Sequence, residues 1–213
     1  MNVSMIQQTL ESKFKFNEPI FTDELLKAFP NKSRPQVFRY IEQAKFNDIL
    51  TQYDTGVYYL PTTTILGKSI ITSEEVMEKK YLKNNNDVFG VYCGLTLLNI
   101  FHVTTQVPAT IEIVSNNESS KKRVIYVANR KYIVKRSRCK ITSKNYAIYT
   151  ILELFNSIKA NEKISKLTVN TVVEYFKKQN IEILELTKYI KYFPSKAVKN
   201  MMRSGVIYEV VRE

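Results

Sequence analysis

The sequence predicts an α+β fold in two parts: a charge-neutral front of three short helices closed by a β-hairpin, then a basic mixed α/β region with a helical end. Three observations carry this. Residues 31–61, NKSRPQVFRYIEQAKFNDILTQYDTGVYYLP, pass from a capped amphipathic helix straight into two β-rich runs around Asp54-Thr55-Gly56. Residues 118–144 hold ten basic residues and one acidic, interleaved with Ile, Val and Tyr. Apolar residues at helical spacing then recur from Tyr146 to near the end of the chain.

The front is justified element by element. MIQQTLESKF sets Ile6, Leu10 and Lys13 along one edge of a first helix. FTDELLKAF predicts a second helix with Thr22 as N-cap, Asp23 and Glu24 at its positive end, and a stop before Pro30. In the third helix Ser33 and Gln36 form an S-x-x-Q capping box, Pro35 suits the first turn, and Val37, Ile41 and Ala44 make one apolar stripe. Asn47, which tolerates the left-handed conformation, is the expected stop. ILTQY and VYYLP then flank DTG as a two-stranded wing with Gly56 at positive φ. Three helices and a hairpin within residues 1–61 is the order of a winged helix-turn-helix, whose third helix enters the major groove of DNA.

That order points to candidate contacts. Gln36, Arg39 and Gln43 point away from the apolar stripe and Arg34 sits at its exposed end, and Arg and Gln are the residue types that pair bidentately with guanine and adenine. Lys32 and Ser33 belong at the phosphate rim. Gln52 and Thr55 at the wing tip are candidate backbone contacts, which position a domain without reading sequence. Tyr58, by the alternation of VYYL, fits the core as well as the tip.

Charge is distributed unevenly. The net +12 comes from 32 Lys/Arg against 20 Asp/Glu, and residues 1–61 hold seven of each, so the whole excess lies in residues 62–213. A basic excess favours a polyanionic partner. RVIYVA and KYIVKRSRCKIT read as a hairpin around NRK. Strand alternation sets Tyr132, Val134, Arg136, Arg138 and Lys140 on one face, three of them consecutive cations that repel unless neutralised. With Lys121, Lys122 and Arg123 nearby, these cations are expected to extend a positive surface continuous with the third helix. The plain alternative is a sheet edge protected by charge.

The rest reads as PTTTILGKSIITS, a linker spanning 62–72, then a second domain over 73–213. TSEEVMEKKYL is a helix capped by Thr72 or Ser73, and KNNND is a loop. VFGVYCGLTLLNIFH turns between Gly90 and Gly94 into a short helix, and TIEIVS is a strand. SKNYAIYTILELFNSIK, TVNTVVEYFKKQN, EILELTKYIKYF and SKAVKNMMRS are helices, and GVIYEVV is a closing strand. A weak echo links AFPNKSRPQVFRYIEQ to YFPSKAVKNMMRS, with Val198 and Met202 standing for Val37 and Ile41 and with Lys196, Lys199 and Arg203 facing outward.

Cys93, Cys139 and the single His102 are too few for a zinc site of four ligands, and no cofactor motif is present. The cysteines read as small buried apolar residues, His102 as a core or interface histidine. With no signal-like start and no long apolar run, the expectation is a cytoplasmic protein with reduced thiols.

The chain resembles the AbiEi-type antitoxins of AbiE type IV toxin–antitoxin systems, which act in abortive infection. The resemblance covers nearly the whole length. Its most specific part is VYCGLTLLNIFHVTTQVPATIEIVSN, similar to the pattern Y-S-G-x-T-x-L-N-x-x-G-L-T-T-Q-V-P. Cys93 stands where serine is common, and Phe101-His102-Val103 replaces x-G-L. The resemblance implies a repressor and antitoxin in one chain. Its winged helix would bind inverted repeats in its own promoter, and its second domain would counter a nucleotidyltransferase toxin without a stable complex.

Two other functions compete. One is a winged-helix regulator whose second domain senses a ligand or dimerises, outside any toxin–antitoxin pair. The other is a nuclease, for which Glu112 lies on a suitable strand but Val114 occupies the lysine position of an acid-x-Lys motif. Walker, G-x-S-x-G and H-E-x-x-H motifs are absent. The expectation is a non-enzyme.

Overall fold

Helix α1 (Val3–Lys13) turns Ile6 and Leu10 inward, and its Lys13 Nζ donates to the Ala28 carbonyl at 2.6 Å, capping the end of the next helix. The computed structural model describes residues 2–65, 67–159, 162 and 164–212. The chain divides into two units, Met1–Lys79 and Lys80–Glu213. In the first, strand β1 (Ile20–Phe21) leads directly into α2 (Thr22–Ala28). The cap of α2 is Phe21, one residue before the expected Thr22. Glu24 Oε2 accepts from the Phe21 N–H at 2.8 Å, while the Thr22 hydroxyl is drawn away to the Gly56 carbonyl.

Helix α3 (Arg34–Phe46) begins as expected, with the Ser33 N–H donating to Gln36 Oε1 at 3.0 Å, and buries Val37, Ile41 and Ala44. It stops differently. Asn47 stays at φ −94° and its side chain donates to the Gln43 carbonyl; Asp48 takes the left-handed turn at φ 58°. Strands β2 (Thr51–Asp54) and β3 (Val57–Tyr59) form the hairpin, with Gly56 at φ 74° and a bulge between Gln52 and Asp54. Tyr58 belongs to the core. The sequence reading missed β1, which pairs antiparallel with β3 and gives a three-stranded sheet ordered β1-β3-β2. Two residues before a helix are too few to show strand periodicity.

Segment 62–72, expected as a linker, lies within this first unit. Leu66 is outside the described residues. Around it, β4 (Thr63–Thr64) pairs with β5 (Gly67–Lys68), Thr62 and Ser69 bond Asn17, and the Tyr59 hydroxyl donates to the Ser69 carbonyl at 2.9 Å. Helix α4 (Ser73–Met77) is capped by Thr72, whose N–H donates to Glu75 Oε2 at 2.6 Å, and continues as a π-helical turn, Glu78–Leu82.

In the second unit, β6 (Lys83–Asn84) and β7 (Asp87–Val88) fold KNNND into a small hairpin rather than a free loop, because Asn85 accepts φ 52°. A four-stranded sheet follows, ordered β10-β11-β9-β8 from β8 (Gly90–Tyr92), β9 (Ile111–Ser115), β10 (Arg123–Val127) and β11 (Arg130–Arg136). The basic hairpin is present, and β11 inserts between its partner and β9, parallel to β9. Helices α5 (Gly94–Ile100) and α6 (Tyr146–Ser157) bury Leu97, Ile151, Leu152 and Phe155 in one core with Val91 and Val114 of the sheet.

α7 (Lys166–Lys178), α8 (Ile183–Ile190), α9 (Ser195–Ser204) and α10 (Val206–Arg212) complete the unit. The expected closing strand is therefore a helix. Gly205 ends α9 at φ 74°, and Val206 and Val210, four apart, then return to the core. The echo between the front and α9 fails in register as well. Ala197, Asn200 and Met201 face inward while Met202 is exposed, because Asn200 Nδ2 bonds the Phe155 and Ile158 carbonyls at the end of α6. Lys196, Lys199 and Arg203 do face outward.

Candidate nucleic-acid interface

In the first unit the expected contact residues are all solvent-exposed: Lys32, Ser33, Arg34, Gln36, Arg39 and Gln43. Gln36, Arg39 and Gln43 lie opposite the buried stripe of α3, while Arg34 sits at its N-terminal end on the side of Ile41. The geometry distinguishes among them. Gln36 is held as the partner of the Ser33 cap. Arg34 lies 5.7 Å over the Phe38 ring, which restrains the guanidinium while leaving its donors free. Among the described residues no ion pair engages Arg39. Gln52 and Thr55 are exposed on the hairpin. Lys45, which sequence reasoning passed over, donates to both Glu42 Oε1 at 3.0 Å and Gln52 Oε1 at 2.8 Å. Its spacing to Gln52 crosses two elements, so no local pattern could reveal it.

In the second unit the predicted basic strand ends early. β11 stops at Arg136; the Ser137 N–H still bonds the Ser115 carbonyl, but beyond it backbone donors are taken by side chains. The Arg138 N–H donates to the Tyr149 hydroxyl at 3.0 Å, and the Ile141 N–H to Asn116 Oδ1 at 2.9 Å. Arg136, Arg138 and Lys140 remain exposed, the first at the end of β11 and the other two in the bent segment that follows it. They do not form one free row. Arg138 Nε approaches Glu153 Oε2 at 3.9 Å and its guanidinium lies over Phe193 at 5.6 Å. Arg123 stands 3.9 Å from the buried carboxylate of Glu118. Lys121, Lys122, Arg136 and Lys140 have no ion pair among the described residues.

Beneath the sheet lies a polar group that a nuclease reading would have used. Glu112 Oε2 accepts from Lys135 Nζ at 2.6 Å, and its Oε1 accepts from the Leu95 N–H at 3.3 Å. Cys93 is fully buried beside them, and burial pushes its thiol far up, which keeps it protonated and unreactive. Glu112 is thus occupied as a tie between β11 and the start of α5. Among the described residues no three His, Cys, Asp or Glu side chains gather where they could hold a metal ion. His102, expected in a core or at an interface, lies outside the core, exposed at φ 56°, and gives its carbonyl to the Thr168 hydroxyl at 2.9 Å. Its ring is left in water because the left-handed turn, not the side chain, is what the packing uses. No described helix is long and apolar enough to cross a membrane.

No protein-family model matches the chain, and no curated protein is significantly similar to it.

Proposed function

We propose that this chain is a DNA-binding antitoxin and autorepressor of the AbiEi type, with residues 1–61 acting as a winged helix-turn-helix on inverted repeats in its own promoter. The observation that carries the reading is the two-sided character of α3. Val37, Ile41 and Ala44 are buried while Arg34, Arg39 and Gln43 are exposed, next to a hairpin tied to the same helix through Lys45 and Gln52. Exposed Arg and Gln on a helix braced by a rigid partner are what base readout requires. The front carries no net charge, so its binding depends on placed contacts more than on diffuse attraction.

The antitoxin half rests on the resemblance in residues 91–116. Where that pattern has glycine, His102 adopts φ 56°, so the turn keeps the backbone that a glycine would supply. In this reading the chain counters a nucleotidyltransferase toxin without a stable complex and performs no catalysis itself. The decisive test is a footprint on the DNA just upstream of the gene. Protection of paired inverted repeats supports the reading, and uniform or absent protection rejects it.

A further inference from the structure

Between the loop after β9 and the segment after β11 lies an open groove of about 720 Å³, lined among others by Ser119, Arg123, Arg136, Ser137, Cys139 and Lys140. We propose that it binds the phosphate chain of a free polyphosphate, such as a nucleoside triphosphate or inorganic tripolyphosphate. This does not rest on the duplex-binding role of α3.

The groove is built rather than incidental. Asn116 fixes its two walls to each other, with Oδ1 accepting from the Ser137 hydroxyl and the Ile141 N–H at 2.9 Å each, and Nδ2 donating to the Ile141 carbonyl at 2.7 Å. The Arg136 N–H bonds the Ser120 carbonyl at 3.0 Å, and the Ser137 N–H bonds the Ser115 carbonyl at 3.1 Å. The loop is folded on itself by the Ser120 N–H, which donates to Glu118 Oε1 at 2.9 Å. Backbone positions on both sides are therefore set before any ligand arrives.

Its charge is unbalanced. Three cations share one carboxylate, Glu118, which is 4% exposed and has no hydrogen bond to Oε2. Arg123 stands nearest to that carboxylate. Arg136 and Lys140 are left over, and Arg136 follows Val134, the cross-strand partner of Arg123, by two residues on the same face. Like charges so placed repel until an anion joins them. A phosphate chain offers acceptor oxygens to a guanidinium fork, an ammonium and the Ser119 hydroxyl together. A volume of this order accommodates a nucleotide-sized ligand, and protection measured with duplex DNA tells the two sources apart.

Cys139 on the groove wall gives the readout, since Cys93 is fully buried. At matched ionic strength, tripolyphosphate or ATP should slow maleimide modification of Cys139 in the full chain, followed by mass spectrometry. Arg136→Gln and Lys140→Gln should each weaken tripolyphosphate binding about tenfold, the loss of one charge-assisted contact. Lys122→Gln, exposed outside the groove, should change it by less than about twofold. Absence of saturable binding and protection in the unaltered chain would overturn the proposal. So would an equal loss in the Lys122 variant, which means diffuse charge. Protection of Cys139 by duplex DNA but not by tripolyphosphate or ATP would also overturn it, giving the groove to DNA. Failure of the α3 reading shows elsewhere, in Arg34 and Arg39 variants that leave this groove untouched.

Discussion

Lys45 Nζ donates to Gln52 Oε1 at 2.8 Å, tying the last turn of α3 to the first strand of the hairpin. On the proposed reading the helix meets bases and the hairpin meets the backbone, and this bond contributes to the spacing between them.

The exposed face of α3 then separates recognition from stability. Arg34→Ala and Arg39→Ala should each weaken operator binding by about 1–3 kcal/mol and relax preference at one base pair, with the melting temperature unchanged. Gln36→Ala should do the opposite, lowering stability by about 1 kcal/mol through the lost cap. Anisotropy titrations beside urea denaturation of all three variants decide it. Unchanged affinity in both arginine variants removes α3 from the groove.

Glu153 predicts a pH effect. Burial within α6 pushes its carboxyl above the ordinary glutamate range, with the Asn156 hydrogen bond and Arg138 offsetting only part. The folded chain therefore holds this proton more tightly than the unfolded one. The stability it contributes is present below the unfolded value of about 4.3 and is lost as pH rises through the folded value. Glu153→Gln should be more stable than the parent at neutral pH, and the advantage should shrink as the solution is acidified. A constant difference across the range rules out this account.

His102 offers a backbone test. A side chain in the left-handed region costs roughly 1–2 kcal/mol, and glycine gives back part of that gain through its freer unfolded chain. His102→Gly should be neutral to about 1 kcal/mol stabilising, whereas His102→Val, β-branched at φ 56°, should destabilise. Thermal melts of the two variants should move in different directions or by clearly different amounts.

Glu112 separates a tie from a catalyst. The chain should leave supercoiled plasmid intact with Mg²⁺ or Mn²⁺, and Glu112→Gln should lower stability by freeing Lys135 from its partner at 2.6 Å. Gly94→Ala should act on the same contact. Gly94 sits at φ 57°, and an added Cβ would run into the Glu112 carboxylate. Cleavage abolished by either change makes this an active site instead.

What was legible in the sequence follows the range of the interactions. Caps and stripes of α3, the Gly56 turn, the basic hairpin and the apolar α6 are local patterns, and each was readable. β1 was not, because its only reason to be extended is Tyr58 and Val57 across the sheet. The end of β11 was misplaced because Asn116 and Tyr149, distant in sequence, intercept the donors that would have continued it. VIYEVV carries strand-forming residues, yet Gly205 and the core contacts of Val206 and Val210 make it helical. In the candidate site, the exposure of the polar α3 positions was legible, whereas the basic stretch was legible only in part. There the cations were visible, but the carboxylates that divide them, Glu118 and Glu153, meet them only in three dimensions.

The parallel pairing of β11 with β9 carries a consequence for the order of assembly. β10 and β11 meet across a two-residue turn and can zip within microseconds, but β9 must wait, since its neighbour is the later of the two strands. On an emerging chain, Ile111–Ser115 leaves the ribosome with one flank bare until residue 136 has followed. During that interval IEIVS is a short, proline-free, largely β-branched edge of the kind that recruits other chains. Ten positive charges in residues 118–144, arriving directly behind it, are well placed to keep nascent copies apart.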